Sequence, residues 1–449
     1  MTKRLTFLIN TLAIVLLISL SACTKINPVP TVTTMEITDI TFDTAISGGI
    51  IESDGGLEVI SSGLCWGYNE NPTIETDAFN TDGKGIGTNV FSSKITGLKQ
   101  GKTYFVRAYA TTEAGTGYGE NKTIGTPERV YILNSGKMNS NNSTLTLVSP
   151  FTKNVFETRN GIKLGDTANS MLVYGQKMYI AVNVSKIIFV TDLDGKIIKE
   201  IKHDGGTGSD LGPRELDRGE GKVFVTFQEG FVGAIDTTSF AITSTQVGAF
   251  PEGVLYNEGK LYVANSDGYS SPPGTTMSVV NASTLTVTKT LEVSCNPQKM
   301  VKANNGMLYL TTWGNWFDVP STLQMIDPAT DKVTSFDGVP ASKIALGKDG
   351  DLVILHSYYD ANWTQIVEYK VFDTTTGKIK GDFITDGTVI LKGYEDGYSI
   401  SSDPDTGEIY IGASDYVSEG TMYVFSPDGK LVRTFESGGI NPMGVYFTE

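Results

Sequence analysis

Cysteine and histidine are scarce in this chain of 449 residues, which has three cysteines and two histidines. Cys65 and Cys295 lie in segments that belong to different predicted domains, so they offer no disulfide framework. The histidines, His203 and His356, are far apart in the sequence and neither has a metal-like spacing to a cysteine. We therefore expect no catalytic zinc site and no resident cofactor, and we expect Cys65 and Cys295 to be small buried residues.

Positive charge is also in short supply. The chain has 35 Lys and Arg residues against 50 Asp and Glu residues, which gives a formal net charge of −15. No basic arm or Arg-rich run offsets this acidity, and proteins that bind nucleic acid need such cations to neutralise phosphates. The composition therefore argues against nucleic acid as a partner.

Long apolar runs are missing except at the amino terminus. Lys3 and Arg4 precede the run LTFLINTLAIVLLISL, which is the pattern of an export signal over residues 1–22. The run ends in LSAC, which resembles a bacterial lipobox and implies that Cys23 receives a lipid. The alternatives are an ordinary signal peptide and a short membrane anchor. With a lipid on Cys23, residues 23–30 form a short tether and acyl chains hold the protein on the outer membrane.

Amphipathic helical periodicity is missing after the leader. The chain has 50 Gly, 20 Tyr and 20 Phe, and its short alternating runs are typical of an all-β protein. Residues 31–127 show the strand and turn pattern of a β-sandwich. The stretches GLKQGKTYFVRAYATTEAGTGYG and SSGLCWG resemble fibronectin type III-like domains of Bacteroidetes lipoproteins. This resemblance implies that Trp66 lies in the core and that Tyr104 lies near the start of a late strand.

Residues 129–449 repeat one pattern seven times. Each unit has an aromatic or apolar strand, a loop, and a second strand that ends in a turn containing Asp or Asn, at intervals that suit one four-stranded propeller blade. The first unit lacks an inner strand, and the final NPMGVYFTE has the missing pattern. The sequence therefore predicts a seven-bladed β-propeller that is closed by its C-terminal strand, which removes the open sheet edges.

Two motifs carry a further resemblance, LYVANSDG and MIDPATDKV. They are similar to motifs of YncE-like, surface-layer-type propellers found in Bacteroidetes lipoproteins, and the likeness covers about residues 129–449. Some surface propellers of this family bind corrinoids and pass them to an outer-membrane transporter. The resemblance implies the same function here, at the cell surface; a periplasm-facing position stays open because no acidic run follows Cys23.

Aromatic side chains gather in loops of blades four to seven, where a rigid scaffold can present them to a ligand. Acidic and amide side chains accompany them and could orient a ligand by hydrogen bonds. In a propeller these loops open on one face, so we predict a ligand-binding rim there. Its residues are Tyr269, Trp313, Asn315, Trp316, Phe317, Asp318, Tyr358, Tyr359, Asn362, Trp363, Tyr398 and Tyr416. The alternative is that the aromatic rings pack the loops against one another.

The predicted function is capture of a ligand at this rim, with a corrinoid as the specific candidate. The second class is an adhesion or scaffolding protein that binds a glycan or another protein. The third is a propeller enzyme, which the fold allows. No G-x-S-x-G or H-E-x-x-H motif and no glycine-rich phosphate loop is present, and no nucleophile has a matching base. We therefore predict a binding protein and assign no catalytic residue.

Overall fold

The computed structural model describes residues 28–83, 89–315, 317–360, 362–387, 389, 391 and 393–448. The predicted signal peptide, the predicted lipidation site Cys23, most of the tether and Trp316 lie outside these residues. In the described part of the chain, no helix has both the length and the apolar character needed to span a membrane. The chain divides into two compact units, Met1–Glu128 and Arg129–Glu449.

The first unit is a β-sandwich whose strands form two sheets. One sheet contains β1 (Thr31–Thr34), β2 (Thr44–Ser53) and β5 (Val90–Thr96); the other contains β3 (Ser61–Gly67), β4 (Ala78–Phe79), β6 (Thr103–Thr112), β7 (Gly115–Tyr118) and β8 (Lys122–Gly125). Trp66 is buried between them, as predicted, together with Leu64 and Val106. The hydroxyl of buried Tyr104 accepts a hydrogen bond of 2.8 Å from the backbone N–H of Lys99. This bond stabilises the turn before β6.

Over its described residues, the second unit contains seven antiparallel sheets. From the inside outwards, the first three are β35 (Pro442–Phe447), β9 (Val130–Asn134) and β10 (Thr144–Leu147); β11 (Ala168–Tyr174), β12 (Lys177–Val182), β13 (Ile187–Thr191) and β14 (Ile197–Ile201); and β15 (Pro213–Gly219), β16 (Lys222–Phe227), β17 (Phe231–Asp236) and β18 (Ile242–Gln246).

The remaining four sheets follow in chain order. They are β19 (Pro251–Asn257), β20 (Lys260–Asn265), β21 (Thr276–Asn281) and β22 (Thr286–Glu292); β23 (Pro297–Lys302), β24 (Leu308–Thr312), β25 (Thr322–Asp327) and β26 (Lys332–Phe336); β27 (Lys343–Leu346), β28 (Leu352–Tyr359), β29 (Gln365–Asp373) and β30 (Lys378–Asp382); and β31 (Ser399–Ser402), β32 (Ile409–Ala413), β33 (Thr421–Phe425) and β34 (Leu431–Glu436). The first strands of successive sheets contact one another in a ring, which is the arrangement of a β-propeller.

The ring closes as the sequence predicts. Strand β35 pairs antiparallel with β9, with Tyr446 opposite Tyr131. The side-chain amide of Asn441 donates to the carbonyl oxygen of Gly136 over 2.8 Å, and the N–H of Gly136 donates to the carbonyl oxygen of Ile440 over 3.0 Å. The chain's end therefore supplies the innermost strand of the first blade, and the predicted fold class is confirmed.

The first blade departs from the expected four strands. In its described segment, helix α1 (Val155–Asn160) follows β10 where an outermost strand was expected. Asn154 and Gly161 flank the helix in left-handed backbone conformations, and the ring of Phe156 packs on Phe189 at 4.8 Å between centroids. Val155 and Phe156 are the buried residues of the helix. Two adjacent apolar residues do not give the alternation of apolar and polar residues that is typical of a half-buried strand.

The aromatic residue that recurs in the second strand of the first five blades is a core residue. Tyr131, Tyr179, Phe224, Tyr262 and Tyr309 are fully buried. The Tyr131 hydroxyl donates to the carbonyl oxygen of Leu193 in the next blade. The recurrence seen in the sequence thus reflects packing between blades, where each ring fills the space beside its neighbour.

Candidate functional site

A cavity of about 1020 Å³ opens on one face of the propeller. In an antiparallel blade, the loop after the second strand and the segment before each innermost strand lie at the same end. Loops and segments of this kind from the last three blades enclose the cavity. It is lined by Trp313, Phe317, Val319, Pro320, Ser321, Thr322, Gly338, Val339, Pro340, Ser342, Lys343, His356, Ser357, Tyr358, Tyr359, Asp360, Trp363, Gln365, Gly397, Tyr398, Tyr416 and Met443.

The structure brings most of the predicted aromatic residues together in this cavity. Those that line it are Trp313, Phe317, Tyr358, Tyr359, Trp363, Tyr398 and Tyr416. Tyr269 lies elsewhere, with its ring 79% exposed and edge-on to Phe250. Asn315, Asp318 and Asn362 belong to the surrounding loops but do not line the cavity.

The loop that carries Trp313 and Phe317 is held by side-chain hydrogen bonds. The indole N–H of half-buried Trp313 donates to the carbonyl oxygen of Ser342 over 2.8 Å. The Asn315 side-chain oxygen accepts from the backbone N–H groups of Phe317, Asp318 and Val319, and its amide donates to Asp318 over 2.7 Å. Asn315 and Asp318 therefore shape the loop, and their polar atoms are already engaged within it.

Two aromatic side chains at the mouth of the cavity are almost fully exposed. Phe317 has 94% of its surface accessible and Trp363 has 84%. Asp360 accepts hydrogen bonds from the backbone N–H groups of Asn362 and Thr364, and this turn holds Trp363 in a left-handed conformation at φ 60°. A non-glycine residue in that conformation is uncommon. The turn thus presents an indole to solvent at the cavity mouth, and burying apolar area of this size against a ligand is favourable.

Tyr398 and Tyr416, from the last blade, form another part of the cavity wall. Their rings meet edge to face with centroids 5.5 Å apart, and the Tyr398 hydroxyl lies 3.3 Å from the Ser135 hydroxyl and 3.5 Å from the sulfur of Met443. Burial raises the pKa of the Tyr398 phenol above its usual value, so it is a neutral donor at physiological pH. This wall therefore combines apolar ring faces with hydroxyl groups.

Sequence reasoning assigned no binding role to several polar groups of the cavity. Gln365 donates from its side-chain amide to the Ser357 hydroxyl over 2.7 Å, and the Ser357 backbone N–H donates to the Ser342 hydroxyl over 3.0 Å. His356 stacks on Tyr358 with centroids 4.8 Å apart. Lys343 is the first residue of β27. A signal existed for His356 only, since it lies two residues before Tyr358 in the same strand and therefore on the same face.

His356 is neutral at physiological pH. Burial lowers the pKa of its imidazole below the usual value, and its Nδ1 is a buried atom with no hydrogen-bond partner among the described residues. The other histidine does not reach this site, since His203 Nε2 is 2.7 Å from the Ser244 hydroxyl in the third blade. The two histidines therefore do not form a pair, and a neutral ring lines the cavity.

A second cavity of about 530 Å³ lies at the opposite ends of innermost strands β15, β19 and β23. Lys299 pairs with Glu215 across it, at 2.9 Å between Nζ and Oε2. Asp217 accepts a hydrogen bond from the backbone N–H of Tyr256. Over the part of the chain that the structure describes, no group of three or more His, Cys, Asp or Glu side chains is arranged to hold a metal ion. Cys65 and Cys295 are buried free thiols.

Comparison with known proteins yields structural similarity without a family. No family model matches the sequence, and no curated protein matches it. Among solved structures, Kuenenia stuttgartiensis hydrazine synthase is similar with a TM-score of 0.50 and 15% identity, over 62% of this chain and 92% of that chain. BamB from Moraxella catarrhalis has a TM-score of 0.43 and 13% identity, over 69% and 83% of the respective chains.

The third similar structure is the β-propeller domain of Myceliophteria thermophila Cps50 (Swd1), with a TM-score of 0.44, 11% identity, and coverage of 63% of this chain and 90% of that domain. At 15% identity, the similarity to hydrazine synthase concerns the fold alone, and the other two similarities are weaker. The sheets on a common ring, as seen in the described residues, identify the fold as a β-propeller.

Proposed function

We propose that this protein is a binding protein of the cell envelope and that its propeller captures a ligand in the aromatic cavity. The observation that carries the proposal is a cavity of about 1020 Å³ walled by rings from three successive blades. Cavities for drug-sized ligands measure about 300 to 1000 Å³, so this one lies at the upper end of that range. Exposed rings on a rigid scaffold give contact area at little entropic cost.

A corrinoid is the specific ligand that we propose. A corrin is a broad macrocycle with apolar edges and many amide side arms. The rings of Trp313, Tyr359 and Trp363 match its apolar area, while the hydroxyl and amide groups of Ser342 and Gln365 can exchange hydrogen bonds with its arms. The resemblance of the LYVANSDG and MIDPATDKV motifs to corrinoid-binding surface propellers supports the same choice.

The location that we propose follows from the amino terminus. The LSAC motif supports lipidation of Cys23, and the sandwich that follows it suits a spacer between the membrane and the propeller. A protein anchored in this way, at the outer surface of the outer membrane, would pass its ligand to a transporter. Labelling of intact cells with a membrane-impermeant reagent, compared with lysed cells, tests which side the propeller faces.

Removing exposed rings tests the cavity without threatening the fold. We expect the full chain in detergent micelles to bind cobalamin and cobinamide saturably by calorimetry. Phe317→Ala and Trp363→Ala should each weaken binding about tenfold, because a buried aromatic contact at a binding site is worth more than about 1 kcal/mol. Their thermal unfolding should be unchanged, since both rings are exposed in the free protein.

Tyr269→Ala is the matched control, because its ring is equally exposed but lies outside the cavity. It should leave binding unchanged. No saturable binding of either corrinoid would reject the corrinoid, and a glycan panel and an envelope pull-down would then test adhesion. Corrinoid binding that Phe317→Ala and Trp363→Ala leave intact would place the site away from the aromatic cavity.

A further inference from the structure

Lys343 lies in the wall of the aromatic cavity and has no counterion among the described residues. Its ammonium donates to the carbonyl oxygen of Gly397 over 3.2 Å, and both residues line the cavity. Among the described residues, no carboxylate lies within 4.0 Å of it. A partly buried ammonium whose sole partner is a neutral carbonyl is poorly compensated.

The surrounding charges do not supply a counterion either. The charged group that bears on Lys343 is another cation, Lys299, on the neighbouring innermost strand. Burial and that repulsion lower the pKa of Lys343 to about 8, so it still carries most of its charge at neutral pH. Lys299 itself is paired with Glu215 at 2.9 Å, which leaves Lys343 as the unmatched member of the pair.

The other titratable groups of the cavity do not neutralise Lys343. His356 is uncharged, since burial lowers its pKa. Asp360 is the one carboxylate among the described lining residues; its Oδ1 accepts two backbone hydrogen bonds inside its own turn, and it forms no ion pair with Lys343. The cavity therefore combines aromatic walls with an ammonium group on an innermost strand that no carboxylate of the described residues contacts directly.

We propose that the ligand of this cavity carries an oxyanion, a carboxylate or a phosphate, and that the Lys343 ammonium binds it. This inference rests on the proposed function, because it specifies the chemistry of the molecule captured there. The rings hold the flat apolar body of the ligand. Lys343 then exchanges part of its contact with Gly397 for a charge-assisted hydrogen bond, which is stronger than a neutral one. The result is a preference for ligands that carry an oxyanion over ligands of the same shape that lack one.

A pair of probes that differ in charge alone tests this selection. We would titrate the full chain in detergent micelles with 2-naphthoate and with 2-naphthamide by calorimetry, against matched micelle blanks. The wild type should bind 2-naphthoate more tightly. Lys343→Met should weaken 2-naphthoate binding about 10- to 100-fold, the usual range for a hydrogen bond to a charged group, and should leave 2-naphthamide binding unchanged. Lys343→Arg should retain the preference.

Lys348→Met is the matched control, because it removes one positive charge from the same blade at an exposed turn, where Lys348 pairs with Asp428. It should leave both probes unaffected. Equal binding of the two probes by the wild type, or equal loss of both in Lys343→Met, would overturn the role of Lys343 while the aromatic cavity stands.

A second measurement separates this inference from the proposed function. Sodium pyrophosphate should raise the unfolding midpoint of the wild type above that in sodium chloride of equal ionic strength, and Lys343→Met should lose this difference. If neither naphthalene probe binds but the pyrophosphate effect depends on Lys343, the oxyanion site stands and aromatic capture is wrong. If the pyrophosphate effect and the 2-naphthoate preference are both absent, the oxyanion site is wrong.

Discussion

Asp217 and Asp236 belong to the same blade, yet their pKa values shift in opposite directions. Burial raises the pKa of Asp217, at the inner strand, to about 6. Hydrogen bonds from the Ser239 backbone and hydroxyl lower the pKa of Asp236, at the exposed end of β17. A raised pKa means that the folded state binds a proton more tightly than the unfolded state does. The stability that Asp217 contributes is therefore present below about pH 4 and is lost as the pH rises through 6.

Replacing Asp217 should stabilise the propeller at neutral pH. Asp217→Asn keeps an oxygen that can accept from the Tyr256 N–H and removes a poorly solvated charge. We expect a gain of about 1 to 3 kcal/mol in the free energy of unfolding at pH 7.5, toward the lower end because the carboxyl is partly exposed. The gain should shrink toward pH 4. Denaturant unfolding of both proteins across this pH range measures it.

Asp236→Asn is a control that should have the opposite effect on stability, because the lowered pKa of Asp236 means that its carboxylate stabilises the folded state. That variant should be less stable than the wild type at neutral pH, and the difference should disappear in acid as Asp236 protonates. A pH-independent gain for Asp217→Asn would show that packing or hydrogen bonding, rather than charge, sets its effect.

At the residue scale, the sequence predicts which loops carry aromatic rings but not which atoms face the ligand. Trp313 and Trp363 could be placed near one mouth because the blade repeat locates their loops. Asn315 was equally well placed, yet its oxygen accepts three backbone hydrogen bonds of its own loop. Nothing in the sequence indicated a role for Lys343, because the residues that surround its ammonium come from other strands. The binding roles of the predicted rim residues stay predictions.

At the scale of elements, the closing strand β35 is what joins the two ends of the ring. Val445 is buried in β35 opposite Ile132 of β9, and the strand covers what would otherwise be the inner edge of the first blade. The sequence predicted this pairing because the first repeat lacks an inner strand and the last residues have that pattern. It could not predict helix α1, because a six-residue helix held by tertiary contacts has little periodicity of its own.

Removing β35 should open the ring. A chain that ends at Asn441 loses the pairing of Pro442 to Phe447 with β9, and we expect its free energy of unfolding to fall by more than about 3 kcal/mol, given the apolar area and hydrogen bonds lost. A chain that ends at Thr448 is the control and should unfold like the wild type. Urea unfolding followed by circular dichroism measures the change. Equal stability of the two truncated chains would show that β35 adds nothing to the ring.

At the scale of the whole molecule, each compact unit has a hydrophobic core of its own. Leu64 is fully buried in the sandwich core and Leu310 is fully buried in the propeller. The sequence predicted both folds because the alternation of the sandwich and the sevenfold repeat are properties of whole segments. A repeated pattern still predicts the fold when one repeat departs from it, as the first blade does. The geometry of a cavity depends on the position of each individual side chain and could not be predicted in this way.

Core substitutions should act on one unit at a time. Leu64→Ala should lower the free energy of unfolding of the sandwich by about 2 to 5 kcal/mol, and with it the midpoint temperature of the sandwich transition. The propeller's transition and its ligand binding should be unchanged. Leu310→Ala is the reciprocal control. Scanning calorimetry resolves the two transitions. A single transition that both variants shift equally would mean that the units unfold together.

The pairing of β9 with β35 also sets an order of events during synthesis. Gly136 and Asn441, which share a hydrogen bond across this closure, are 305 residues apart in the chain. At about 5 to 20 residues per second, a ribosome needs about 15 to 60 s between making the one and the other. During that interval the edge of β9 that later pairs with β35 is unpaired, and another strand could pair with it. A propeller that began to fold during synthesis would therefore be unable to close its ring until β35 is made.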